Sequence, residues 1–190
     1  ENDSLARDKQ LFMNYAAENG EVFFMLGDNE MMFEKDPLAR LSRILKSYGD
    51  FKPKGIHLDI EPHTFAEWAT EKQRLTNQYL EFVGKISTYC KDNDLELAVS
   101  IPLHYGPEVV DQLLGMVDQV YFMCYENVKI DYLVNKLTTY TDNGLEKLVV
   151  ALRTEDFANR TEMEEKITEI EKRTGIVNFA YHDLRRMIAF

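Results

Sequence analysis

Cysteine is scarce: the 190 residues hold two, Cys90 and Cys124, and neither sits in a CxxC pair. A disulfide framework is excluded, and both read as buried free thiols. Basic residues are also few. Lys and Arg number 22 against 33 Asp and Glu, a formal net charge of −11. Such a chain repels phosphate backbones, so no nucleic-acid partner is expected. No apolar stretch approaches the roughly 18 uncharged residues of a membrane helix, so no membrane span is expected. The sequence has no internal repeat, low-complexity tract or linker that would mark a second domain. It starts at Glu1 without an apolar leader, so any signal peptide is expected to have been removed or never present. Core material, by contrast, is ample. With 45% hydrophobic residues, Phe 11 and Tyr 10, the chain is no disordered segment, and its length fits one domain over 1–190.

Short apolar runs alternate with amphipathic stretches. Helical patterns are read at Ser4–Asn19, from Pro37, at Phe65–Asn93, Pro107–Met116, Tyr132–Thr141 and Thr161–Arg173, with a last helical turn at Asp183–Ile188. Between them lie strands at Val22–Leu26, Gly55–Glu61, Leu95–Leu103, Val117–Tyr125, Lys147–Leu152 and Ile176–Tyr181. Six strands separated by helices mean right-handed βαβ units and a parallel sheet. A doubly wound nucleotide binder would carry a glycine-rich turn after its first strand, and here GDNEMM follows instead. Polar residues collect at the carboxyl ends of several strands, as in a (β/α) barrel. The fold expected is therefore α/β, a parallel TIM-type barrel. Eight units take about 250 residues, so six units make it incomplete.

The segment Lys54-Gly55-Ile56-His57-Leu58-Asp59-Ile60-Glu61-Pro62 is the most informative. Period two puts Ile56, Leu58 and Ile60 on one face and His57, Asp59 and Glu61 on the other. Three ionisable side chains inside a barrel are expensive unless paired or used. Glu61 stands at the mouth with Asp59 two residues below, so one carboxyl pKa should rise. A raised Glu suits a general acid near neutral pH. The structural alternative is a buried polar plug satisfied by Arg153 or by tyrosines.

This segment resembles the signature strand of glycoside hydrolase family 18, the chitinase-like barrels, written DGxDxDxE. Gly55, Asp59 and Glu61 match it, while Lys54 and His57 replace its first two aspartates. Val117–Glu126 resembles the family's sixth strand, which ends Met-x-Tyr-Asp: Met123 and Tyr125 match, and Glu126 replaces the aspartate. Leu97–Pro102 and Lys147–Leu152 resemble the fifth and seventh strands. The resemblance implies that the chain supplies strands three to eight and lacks the first two. It also implies substrate-assisted hydrolysis of a β-linked N-acetylhexosamine polymer. Glu61 would protonate the glycosidic oxygen, and the substrate acetamido group would act as nucleophile. Asp59 and Tyr125 would hold the oxazolinium ion. The family's eighth-strand tryptophan has no counterpart, since the only tryptophan is Trp68 and the eighth strand offers Phe179 and Tyr181.

Catalytic residues are thus expected at Glu61, Asp59 and Tyr125. Substrate contacts are expected from His57, Met123, Glu126, Asp28, Asn29, His104, Arg153 and Tyr181, with His63 and His182 as rim groups and Tyr105 in core or rim packing. No cofactor and no metal site are expected. Two further readings stand beside the glycosidase: a catalytically inactive carbohydrate-binding barrel, and a metal-dependent polysaccharide hydrolase or deacetylase using His57, Asp59, Glu61 and His104. The expected partner is a carbohydrate, with self-association through open barrel edges. Secretion or a cell-surface location follows from that function.

Overall fold

The structure is a computed structural model describing residues 2–125, 127–142 and 144–182, with side chains from residue 11 onward. Six strands, β1 (Phe23–Leu26), β2 (Gly55–Leu58), β3 (Glu96–Pro102), β4 (Gln119–Cys124), β5 (Leu148–Arg153) and β6 (Asn178–His182), form one sheet. Every neighbouring pair is parallel, and the strands stand in chain order with no reversal. A doubly wound sheet reverses its order at a switch point. This sheet instead curls as an incomplete TIM-type barrel, with β1 and β6 as its edges.

Each crossover carries a helix: α2 (Pro37–Lys46), α3 (Trp68–Asp92), α4 (Pro107–Leu114), α5 (Ile130–Leu137) and α6 (Arg160–Thr174), with α1 (Asn2–Asn19) ahead of β1. Their ends follow local chemistry. Asp36 caps α2 by accepting from the Ala39 N–H, with Pro37 in the first turn, and Asn159 caps α6 by accepting from the Glu162 N–H. Gly175, at φ 78°, ends α6 in the left-handed region that glycine tolerates. The long α3 buries Leu75, Tyr79, Phe82, Val83, Ile86 and Cys90, a 3.6-residue stripe laid against the sheet.

Strand alternation divides the sheet into two faces. Ile56 and Leu58, Leu97, Val99 and Ile101, Val120, Phe122 and Cys124, and Leu148, Val150 and Leu152 form the core under the helices. His57, Ser100, Tyr121, Met123, Ala151 and Ala180 line the concave face, held level by the register His57↔Ala98, Ser100↔Tyr121, Met123↔Ala151 and Ala151↔Ala180. A Cβ on Gly55 would collide with the Glu96 carbonyl oxygen and the Phe23 ring, so glycine is what lets β1, β2 and β3 close up at the barrel's foot.

The elements differ from expectation mainly at their ends. The strand expected over Gly55–Glu61 stops pairing at Leu58, although the Asp59 N–H still donates to the Leu26 carbonyl at 2.8 Å. Pro62 has no N–H to give a ladder, and the chain turns there into a 3-10 turn, Pro62–Thr64. The helix expected from Phe65 begins at Trp68 and kinks at Glu71. The last helical turn at Asp183–Ile188 lies outside the described residues.

Candidate active site

Two loops build the mouth at the carboxyl ends of β1 and β2. Asn29, in the turn after β1, accepts the Glu61 N–H at 2.7 Å and donates its amide to the Thr64 hydroxyl at 3.0 Å. The Thr64 hydroxyl in turn donates to the Glu61 carbonyl at 2.8 Å. Glu61 is thereby held by its backbone, while its carboxyl is 30% exposed. Burial first, and then the charge on Asp59, pushes the Glu61 carboxyl above its ordinary range.

Asp59 sits deeper. Its Oδ1 is buried without a hydrogen-bond partner, and burial raises its pKa while His182 pulls it back. Tyr125, one residue beyond β4, faces the same space. Its hydroxyl is pushed up to about 12, by burial first and then by Asp59, Cys124 and Glu61, so it stays a hydrogen-bond donor. His182 packs its ring 5.5 Å from Tyr125, and the Arg153 guanidinium lies 6.0 Å above the same ring while donating to Asp156 at 2.7 Å. Met123, partly exposed, shares the concave face below Tyr125. The structure therefore gathers Asp59, Glu61, Tyr125, Met123, Arg153 and His182.

Other expected residues go elsewhere. His57 is not at the mouth: it is buried at the barrel's foot, 2.7 Å from the Ser100 hydroxyl and beneath the Tyr121 ring. Burial pushes its pKa down to about 4, so it is neutral at ordinary pH. Asp28 caps the turn after β1 through the Glu30 N–H and pairs with Arg40 at 2.5 Å, which holds its pKa down. Asn29 uses both ends of its amide as a bracket, as described. Tyr181 pairs in register with Leu152 and so lies on the helix face, while its neighbour His182, level with Arg153, takes the concave face. Glu126 lies outside the described residues. Arg153 donates to Asp156, and it is His182 that opposes the effect of burial on the Asp59 carboxyl.

Sequence reading places His63 on the rim, and it misses Trp68 and Tyr79 as site residues. His63 Nε2 lies 3.4 Å from Glu61 Oε2. Its ring meets His104 at 5.0 Å, Tyr105 at 6.2 Å and Trp68 at 6.3 Å, and Trp68 stacks on Tyr105 at 5.9 Å. His104 thus belongs to this aromatic cluster. The hydroxyls of Tyr79 and Tyr105 and Nδ1 of His63 are buried without hydrogen-bond partners, like Asp59 Oδ1. The available signal was Pro62, whose turn folds His63 back toward the acid. Among the described residues, no three His, Cys, Asp or Glu side chains are grouped to hold a metal ion, and no helix is long and apolar enough to cross a membrane.

No family model matches the sequence, and no curated protein matches it significantly. Solved structures do. The chain is similar to a chitinase from Chromobacterium violaceum ATCC 12472, with a TM-score of 0.58 at 13% identity over 77% of this chain and 53% of that one. It is also similar to the C-terminal domain of a protein assigned as a chitinase from Desulfitobacterium hafniense DCB-2. There the TM-score is 0.57 at 13% identity, over 76% of this chain and 49% of that one. At such identity the likeness is one of fold alone, and the chain spans about half the length of each.

Proposed function

We propose that this chain acts as a glycoside hydrolase on an oligo- or polysaccharide containing N-acetylhexosamine, with Glu61 as general acid. The observation that carries the reading is the adjacency, at the carboxyl end of β2, of two carboxyls with raised pKa, next to a tyrosine that keeps its proton. A carboxyl with a raised pKa keeps its proton to higher pH and can give it to a glycosidic oxygen. As that C–O bond breaks, the substrate's own acetamido oxygen closes on the anomeric carbon, giving an oxazolinium ion. Asp59 places negative charge beside this cation, and Tyr125 donates to the acetamido oxygen. Water then opens the ring, and its proton returns to the Glu61 carboxylate.

On the same reading, the six strands correspond to strands three to eight of a full barrel, and two further strands seat between β6 and β1. His182, Arg153 and Met123 line the sugar site beside Tyr125. A second reading, a barrel that binds glycan without turnover, draws support from His57. It stands where the chitinase-like strand has an aspartate, and its bond to Ser100 leaves Asp59 with no carboxyl below it.

Reducing-sugar release from a panel including N-acetylglucosamine oligomers, for the native chain and Glu61→Gln, decides between them. Turnover lost in the variant with glycan affinity retained supports the glycosidase. Affinity with no turnover in either supports the binding barrel. Turnover that survives the substitution rejects Glu61 as the acid.

A further inference from the structure

We propose that His63 is the positioning residue of Glu61, holding Oε2 so that the acid proton sits on Oε1. This rests on Glu61 being the acid, as proposed above. The contact itself can be tested without that premise.

The backbone of Glu61 is already fixed at both its N–H and its carbonyl, by Asn29 and Thr64. Only the side-chain torsions remain free, and a general acid needs them fixed as well. Pro62 ends the strand geometry, and the 3-10 turn brings His63 back over the residue that precedes the proline. The result is the 3.4 Å approach of Nε2 to Oε2. Contacts of this kind are often long before substrate binds and shorten in the complex.

The imidazole cannot easily swing away. His104 and Tyr105, on the loop after β3, stand edge-on to it at 5.0 and 6.2 Å, and Trp68 of α3 closes the third side at 6.3 Å. Its other nitrogen, Nδ1, is buried with no partner. That asymmetry assigns the tautomer. A buried N–H with no acceptor costs more than a buried lone pair with no donor, and a lone pair on Nε2 would face the carboxylate oxygen. The proton of neutral His63 therefore lies on Nε2, the nitrogen nearer Glu61.

The groups facing His63 come from three elements. From its own turn comes Glu61; from the loop after β3 come His104 and Tyr105; from α3 come Trp68 and, over that ring, the Lys72 ammonium at 5.7 Å. Burial and then His104 lower the His63 pKa, and Lys72 and Lys136 act on His104 in the same sense. With His63 Nε2–H donating to Oε2, Oε1 is the oxygen that carries the acid proton. One proton passes from Oε1 to the glycosidic oxygen, and none moves on His63. The carboxylate left behind keeps the same N–H donor, which stabilises it until water restores its proton.

Nitrogen-15 NMR of the native chain reads the tautomer directly. The proton is expected on Nε2 of His63, and a proton on Nδ1 would overturn the proposal. Carboxyl carbon-13 titration then follows Glu61 in His63→Leu and His63→Gln. Loss of the donor in the leucine variant raises the Glu61 midpoint by about 0.5, whereas glutamine, which keeps a donor, leaves it near native. An unmoved midpoint in folded His63→Leu rejects the pairing. In turnover, His63→Leu lowers kcat about 30-fold with KM within about twofold, and His63→Gln recovers most of it. Equal loss in both variants would mark a structural role and overturn the assignment. A native chain with no turnover but a shifted Glu61 midpoint supports the pairing while removing the glycosidase reading, so the two fail separately.

Discussion

The foot of the concave face and the surroundings of Glu61 at its mouth both hold buried polar atoms, yet they treat them in opposite ways. At the foot, His57 meets Ser100, and the Tyr121 hydroxyl above it donates to Gln119 at 2.9 Å. At the mouth, Asp59 Oδ1, His63 Nδ1 and the hydroxyls of Tyr79 and Tyr105 are buried and unpartnered. Buried polar groups are normally satisfied, and exceptions call for a reason. Here the exceptions lie on the elements that surround Glu61. Satisfied polarity at the foot holds strands together; the unpartnered atoms at the mouth surround the carboxyl proposed above as the acid.

The largest expected effect breaks the mouth alone. Glu61→Gln should lower turnover by about a thousandfold or more with a melting temperature at neutral pH no lower than native, since a neutral side chain avoids burying the carboxylate charge. Activity in the native chain should also fall as pH rises through the raised Glu61 pKa, because the acid form is then lost. A bell whose upper limb survives in Glu61→Gln would contradict this assignment.

A pH titration of stability separates the two regions by sign. His57 is depressed to about 4, so its contribution is complete above its unfolded value of 6.5 and is lost as pH falls toward 4. That loss is worth about 3 kcal/mol at most, and His57→Asn should flatten it in urea melts. Asp59 and Glu61 act in the reverse direction. Their raised values mean that the stability they contribute is present in acid and lost as pH rises through them.

A smaller test compares two hydroxyls. Ser100→Ala strands the His57 ring and should destabilise by about 1–2 kcal/mol. Tyr79→Phe removes an unpartnered hydroxyl and should change stability by less than about 0.5 kcal/mol. Similar costs in chemical denaturation would erase the distinction between foot and mouth. Smallest of all is the edge. Met25 on β1 is 61% exposed on the concave side, and Met25→Lys should weaken any self-association seen by sedimentation, with stability within about 0.5 kcal/mol.

Much of this architecture is legible in residue order. The alternation of apolar runs and amphipathic stretches reads directly as six strands in a parallel sheet, because each strand needs a helix to cover it. Period two also puts His57 and Asp59 on one face. What periodicity does not carry is depth: His57 and Glu61 look equivalent on paper, but four residues of rise separate a buried, serine-bound ring from an open carboxyl. At β6 the difficulty is register. Choosing Tyr181 over His182 is a slip of one residue, which exchanges the two faces of the sheet. His63 stays hidden for another reason. Strand periodicity ends where Pro62 breaks the ladder, and beyond it only the three-dimensional turn brings the imidazole to Glu61.

One carboxamide has a mechanical consequence. Asn29 belongs to the segment that follows β1, an edge strand, yet its amide grips the loop carrying Glu61 from both sides. The edge and the acid's loop are therefore tied together by one residue. A change at the β1 edge thus reaches the acid's backbone through a single side chain.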